Sequence, residues 1–177
     1  VFDSNNANAN AGVDQSLCTT NGTTVMAGSA VTTPAIGTWT LVSGTGTIVD
    51  PNSPTTSITG LAVGQNIFQW TVDNGPCANP ITTDQVTITL FDQNNPVANA
   101  GPDQNVCTPS TSTVLAGSAI IGPATGTWSV LAGTGVFVDA NSPNTTVNGL
   151  TVGENTFAWT VTNGPCANPL TVDQVTI

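Results

Sequence analysis

The 177-residue chain has no lysine, no arginine, no histidine and no tyrosine. Without a basic side chain it cannot neutralise phosphates, which argues against nucleic acid and anionic membrane surfaces as partners. The same absence removes the Ser-His-Asp triad, the Schiff-base or P-loop lysine, the arginine finger and the histidine metal site. It also removes lysine–asparagine isopeptide cross-links as a brace. The chain therefore reads as a non-enzyme. No apolar run reaches 18 residues, so no transmembrane helix and no direct membrane insertion are expected. The opening Val1-Phe2-Asp3 lacks the basic and apolar regions of a secretory signal, so any export signal is expected to lie elsewhere or to have been removed.

What is present is ten acids and a formal charge of −10, 18 glycines, 12 prolines, four cysteines and 38% hydrophobic residues. The organising feature is repetition. Cys18 aligns with Cys107, Trp39 with Trp128, Trp70 with Trp159 and Cys77 with Cys166, all at an offset of 89 residues (107 − 18) and without a gap. About 54 of the roughly 88 aligned pairs are identical. Two repeats, 1–91 and 92–177, are expected. Val1-Phe2-Asp3 matches Leu90-Phe91-Asp92, and Asp173 to Ile177 match Asp84 to Ile88. That phase reads as a window on a longer series, the alternative being a two-domain protein with trimmed ends.

Within a repeat the apolar period is two. Phe68, Trp70 and Val72 alternate with Gln69 and Thr71; Val86, Ile88 and Leu90 alternate with Thr87 and Thr89; Trp39 and Leu41 alternate with Thr38 and Thr40. Val25 and Ala27 mark an earlier strand and Ile58 a later one. Asn21-Gly22, Gly44-Thr45-Gly46, Asp50-Pro51-Asn52 and Asn74-Gly75-Pro76 supply turns between them. The expectation is all-β: tandem immunoglobulin-like β-sandwiches of about seven strands each, in a linear array.

A core this small invites reinforcement. Cys18 ends the first strand and Cys77 follows the strand of Trp70, and Cys107 and Cys166 repeat both positions. Bridges Cys18–Cys77 and Cys107–Cys166 are expected, each closing about 60 residues and contributing roughly 4 kcal/mol in the chain-entropy model. Such bridges imply an oxidising, extracytoplasmic location. The competing pairing, Cys77 with Cys107, would strand Cys18 and Cys166 or need further repeats. No CxxC spacing supports zinc.

Trp39, Trp70, Trp128 and Trp159 could be sugar platforms, but each is in phase with apolar neighbours and reads as core. Asp92, Asn94 and Asp103, in an Asx-rich junction echoed by Asp3, Asn5, Asn6, Asn10 and Asp14, are the candidate ligands of a calcium ion. The competing reading makes them turn formers in a solvated linker, with no cofactor at all. Asp50 and Asp139 read as turn residues, and Asp84 and Asp173 lead the closing strands. No pair of acids has an acid/base environment. Asn21-Gly22-Thr23 and Asn144-Thr145-Thr146 match the glycosylation pattern at a near-chance level.

Pro96-Val97-Ala98-Asn99-Ala100-Gly101-Pro102-Asp103-Gln104, then Val114-Leu115-Ala116-Gly117-Ser118 and Gly126-Thr127-Trp128-Ser129-Val130, resembles the opening of PKD-like repeats. Together with Asn-Ser-Pro and Trp-Thr-x-x-Asn-Gly-Pro-Cys, it is similar to the repeats of giant Bacteroidetes cell-surface adhesins of the gliding-motility, SprB type, which are exported by type IX secretion. The chain departs from PKD domains at Asn10 and Asn99, usually Asp; at Ile121-Gly122-Pro123, usually an Asp-Pro-Asp-Gly turn; and at Trp128-Ser129-Val130-Leu131, usually acidic. These lost acids are the positions associated with calcium in that family. The type IX C-terminal sorting domain is absent from this sequence.

The resemblance implies structural stalk repeats of a long secreted filament or adhesin at the bacterial cell surface, attached to the outer membrane and serving gliding motility or surface attachment. The implied partners are neighbouring repeats of the same chain, surface polysaccharide and the outer-membrane motility machinery. The alternative is a carbohydrate-binding, accessory PKD-like module of a secreted hydrolase.

Overall fold

A computed structural model describes every residue except Ser4, Ala7 and Ala78. The chain divides into two compact units, Val1–Phe91 and Asp92–Ile177. Both are all-β, built of two sheets each. Among the described residues there is no helix, hence none long and apolar enough to cross a membrane.

Among the described residues unit 1 has seven strands: β1 (Gln15–Cys18), β2 (Thr24–Val25), β3 (Ile36–Ser43), β4 (Thr47–Ile48), β5 (Ser57–Thr59), β6 (Gly64–Asp73) and β7 (Ile81–Phe91). One sheet runs β1-β7-β6-β3 and the other β2-β5-β4. β1 is parallel to β7, with Gln15 opposite Ile88 and Cys18 opposite Phe91. Unit 2 repeats this with β8 (Ser112–Val114), β9 (Thr125–Ala132), β10 (Val136–Phe137), β11 (Thr146–Asn148), β12 (Thr156–Thr162) and β13 (Leu170–Thr176), in sheets β13-β12-β9 and β10-β11-β8. Gln104–Cys107, which match β1, form no strand: β13 ends at Thr176, short of the counterparts of Thr89, Leu90 and Phe91 along which β1 pairs.

The inner faces of the two sheets close one core per unit. In unit 1 it holds Met26, Trp39, Ile58, Phe68, Trp70, Val72, Val86, Ile88 and Leu90; in unit 2, Leu115, Trp128, Val147, Phe157, Trp159, Val161 and Val175. Phe68, Trp70 and Val72 lie every second residue on β6, as strand geometry demands of a half-buried sheet.

Two readings of phase are corrected. The residue turned inward near β2 is Met26, while Val25 is 58% exposed. The inner face there must carry Gly28, where a Cβ would run into Trp39 and Trp70, and a period of two from Gly28 selects Met26. Leu41 is also exposed, at 42%, because the β3–β6 register shifts between Leu41 and Ser43 and the strand leaves the core.

Candidate functional site

The tryptophans are interior. Trp39 and Trp70 face each other across β3 and β6, and Trp128 and Trp159 across β9 and β12. All four are at most 2% exposed. Their indole N–H groups are satisfied internally: Trp70 donates to Ser29 Oγ and Trp159 to Ser118 Oγ, both at 3.2 Å, Trp39 to the Pro54 carbonyl, and Trp128 to those of Ser142 and Pro143. Rings held this way offer no face to a sugar.

The acids act on the backbone. Asp84 Oδ2 accepts from Ala11 N and Asp14 Oδ1 from Thr87 N, both at 2.8 Å; with Ala9 N donating to Thr82 Oγ1, they tie the entry segment to β7 before the β1 ladder begins. Unit 2 repeats all three bonds with Asp173 and Ala100, Asp103 and Thr176, and Thr171 and Ala98, at 2.8 Å each. Asp50 Oδ1 accepts from Asn52 N and Asp139 Oδ1 from Asn141 N, which makes both Asx turns.

The candidate calcium ligands are not brought together. Asp92 Oδ1 accepts from Asn94 N at 2.8 Å in an Asx turn, and the Asp92 carbonyl accepts from Asn163 Nδ2, just beyond the end of β12. Asp103 sits at the other end of unit 2, bonded to Thr176 at the close of β13. The six residue steps of β13, Leu170–Thr176, separate the two ends, about 20 Å at ~3.3 Å per step. Among the described residues no cluster of three metal-binding side chains occurs.

The cysteines also fall at opposite ends. Cys18 lies opposite Phe91, the last residue of β7, whereas Cys77 stands in the turn before Ile81, the first. Ten residue steps of β7 put them about 33 Å apart at ~3.3 Å per step, far beyond the ~7 Å that a disulfide spans between Cα atoms. In unit 2, Cys166 precedes β13, and Cys107 follows Gln104, whose N–H donates to the Thr176 carbonyl at the far end. The expected bridges Cys18–Cys77 and Cys107–Cys166 are thus ruled out by the parallel direction of β1. Cys18 and Cys166 are disulfide-bonded, and Cys77 and Cys107 are free thiols. The expected Cys77–Cys107 alternative is not formed either.

Sequence reasoning missed Asn66 and Asn155, at 1% and 2% exposure. Asn66 Nδ2 donates to the Ala62 and Gly64 carbonyls while its Oδ1 accepts from Thr45 N; Asn155 does the same with Thr151, Gly153 and Thr134. The signal was an amide in phase with Phe68, Trp70 and Val72. A polar residue at an inward position announces a satisfied buried network.

Two buried polar atoms of unit 2 lack a partner, Asn95 Nδ2 and Asn163 Oδ1. Their counterparts in unit 1, Asn6 Nδ2 and Asn74 Oδ1, are bonded to each other at 3.4 Å.

A cavity of about 570 Å³ opens at the Cys107 end of unit 2, lined by Asp103–Val106, Leu150–Asn155 and Ile177 among others. Its counterpart in unit 1 is occupied by Thr89–Phe91, with Leu90 only 4% exposed. The cavity has the form of a strand slot.

No protein-family model and no curated relative matches the chain. Among solved structures it is similar to the PKD domain of the KIAA 1837 protein (25% identity, 52% of this chain and 93% of that one, TM-score 0.43). It is also similar to the PKD domain of human KIAA0319 (20% identity, 54% and 85%, TM-score 0.39) and to immunoglobulin domains 1–5 of Sidekick-1 (11% identity, 94% and 37%, TM-score 0.47).

Proposed function

We propose that the chain is two repeats of the stalk of a long, exported bacterial cell-surface adhesin or filament, of the gliding-motility or surface-attachment kind, in which each unit acts as a spacer. The observation that carries this reading is the duplication at the level of individual bonds: the three ties between entry segment and closing strand recur in both units with the same atoms and lengths. A duplicated binding domain would need to preserve a surface; here what recurs is the internal bracing. The indoles are used inside, the aspartates are used on the backbone, and the remaining surface is rich in Thr, Ser and Asn with a net charge of −10. A like-charged surface keeps neighbouring filaments apart at low salt. Disulfide bonding supports an oxidising, extracellular location, and a chain without lysine or arginine offers trypsin-type proteases no cleavage site.

The test is the intact mass of the unreduced native polypeptide together with surface labelling of whole cells by an antibody to the two units. A polypeptide of far higher mass than these 17.8 kDa, labelled on intact cells, is expected. A native polypeptide of only that mass, or labelling only after lysis, would overturn the stalk.

A further inference from the structure

We infer that Cys77 and Cys107 are the two halves of a head-to-tail cross-link: Cys107 bonds the cysteine at the Cys77 position of a following unit, and Cys77 the cysteine at the Cys107 position of a preceding one. The inference deepens the repeat-array reading and rests on it. Both free thiols have a counterpart at the same repeat position that is bonded: Cys107 matches Cys18 and Cys77 matches Cys166, and Cys18 and Cys166 are disulfide-bonded.

The geometry of unit 1 alone explains why these two positions would meet. The Cys77 turn is seated on the chain's first residues. The Phe2 ring lies where a side chain on Gly75 would project, 2.5 Å from that missing Cβ, and Asn74 Nδ2 donates to the Asp3 carbonyl at 3.0 Å. Phe2-Asp3 is the repeat counterpart of Phe91-Asp92, and Phe91 ends β7 directly opposite Cys18. So a Phe-Asp step carries, on one side, the cysteine that closes the β1 ladder and, on the other, the turn bearing the second cysteine. Cys166 shows where that second sulfur lies: its Sγ is 3.8 Å from the Asp92 carbonyl oxygen, the equivalent of Asp3. Within a unit, one cysteine therefore sits against the Phe-Asp step that closes it and the other against the Phe-Asp step that opens it. Within a unit they stand at opposite ends, which forces the bond outward.

Each bond forms by loss of two protons and two electrons from two thiols to a small disulfide oxidant such as oxidised glutathione, which leaves as two thiols. Cys107 is exposed and Cys77 partly so, and both are open to such an exchange.

The experiment begins with the full chain, oxidised in a glutathione redox buffer at high protein concentration. A ladder at multiples of 17.8 kDa, collapsing on reduction, is expected on a non-reducing gel. Cleavage before aspartate places the four cysteines in separate peptides, 14–49, 73–83, 103–138 and 139–172, so the ladder should yield the 73–83 peptide joined to 103–138. A mixture of Cys77→Ser and Cys107→Ser chains should stop at the dimer. To exclude a merely weak encounter, two copies are joined through a single threonine, the counterpart of Thr89, which restores the 89-residue register. The doubled chain should then keep two free thiols, as the single chain does, and not four. Four free thiols in a folded doubled chain, or a bond joining Cys77 to Cys107 of the same copy, would overturn the cross-link. Neither result depends on the native protein's length, so the stalk reading and the cross-link can fail separately.

Discussion

Trp39 and Trp70 stand directly opposite each other on β3 and β6, their ring centroids 4.9 Å apart at 39°, and unit 2 reproduces the pair in Trp128 and Trp159 at 5.1 Å and 40°. Two large rings on neighbouring residues of one sheet face need floor space, and glycines provide it. A Cβ on Gly37 would lie 2.2 Å from Trp70 Cζ2, and on Gly126 2.3 Å from the same atom of Trp159. Neither glycine has a positive φ, so the requirement is space and not backbone conformation.

Gly37→Ala should therefore destabilise unit 1 by about 1–3 kcal/mol or more, the range of overpacked cores. Gly60→Ala is the contrasting case. Its Cβ would meet nothing within 4 Å, but the φ of +68° exacts a left-handed penalty of roughly 1–2 kcal/mol. Chemical denaturation followed by tryptophan fluorescence compares them. Gly37→Ala should also shift the native emission spectrum, and Gly60→Ala should leave it unchanged; a Gly37→Ala variant of wild-type stability would mean the indole pair is not packed as described.

Asn66 holds the turn between β5 and β6 by donating to two carbonyls and accepting from Thr45 N–H. Asn66→Ala should cost about 1–3 kcal/mol by orphaning those backbone groups. Asn66→Asp should be worse at neutral pH, because a carboxylate would point at carbonyl oxygens in a buried site. That environment raises the folded-state pKa of the new acid above its unfolded value, so the loss should grow as pH rises through the ordinary carboxylate range and shrink in acid. Melting curves across that range measure it; a pH-independent loss would refute the buried-amide role.

The strands were legible because the period of two is clear on β6 and β7, where Phe68, Trp70, Val72, Val86 and Ile88 are all buried. The phase near β2 was not, because a two-residue strand carries too little alternation to separate Val25 from Met26. The cysteine pairing failed for a different reason. Sequence position shows that Cys18 ends a strand but not that the strand runs parallel to β7, and direction alone decides which end of the unit Cys18 occupies. The Asx-rich junction was equally ambiguous on composition. Only the fold shows Asp92 and Asp103 serving backbone N–H groups at the two ends of one strand.

That separation makes calcium a sharp test. With Asp92 Oδ1 engaged by Asn94 N–H and Asp103 Oδ1 by Thr176 N–H, binding an ion would mean breaking bonds that already hold the fold. Millimolar calcium and excess chelator should give the same melting temperature. A calcium-dependent rise of several degrees would show that these acids gather in solution as they do not here.

Asp84 and Asp173 should be worth more than surface acids. Each accepts the N–H of an almost fully buried alanine, Ala11 or Ala100, at 2.8 Å. Asp84→Ala should cost about 1–3 kcal/mol through the orphaned N–H group and speed amide exchange at Ala11 and Thr87, where the entry segment is tied down. Exchange unchanged at those two amides would mean the β1 ladder alone secures the segment.

The slot at the end of unit 2 predicts a gain of structure on lengthening the chain. In unit 1 the residues Thr89, Leu90 and Phe91 pair with Ser16, Leu17 and Cys18, and Leu90 is 4% exposed. In unit 2 the same region is a cavity of about 570 Å³, and Gln104–Cys107 form no strand, only Gln104 N–H reaching the end of β13. Adding Thr-Leu-Phe after Ile177 should fill it, because burying one leucine contributes about 1.5–3 kcal/mol and the new residues would supply backbone partners for Gln104–Cys107. Unit 2 should melt higher, and the amides of Asn105 to Cys107 should become protected from exchange. Adding Thr-Asp-Phe instead should give neither effect, since a carboxylate would have to enter the apolar position, and equal stabilisation by both tails would show that the slot does not select a strand.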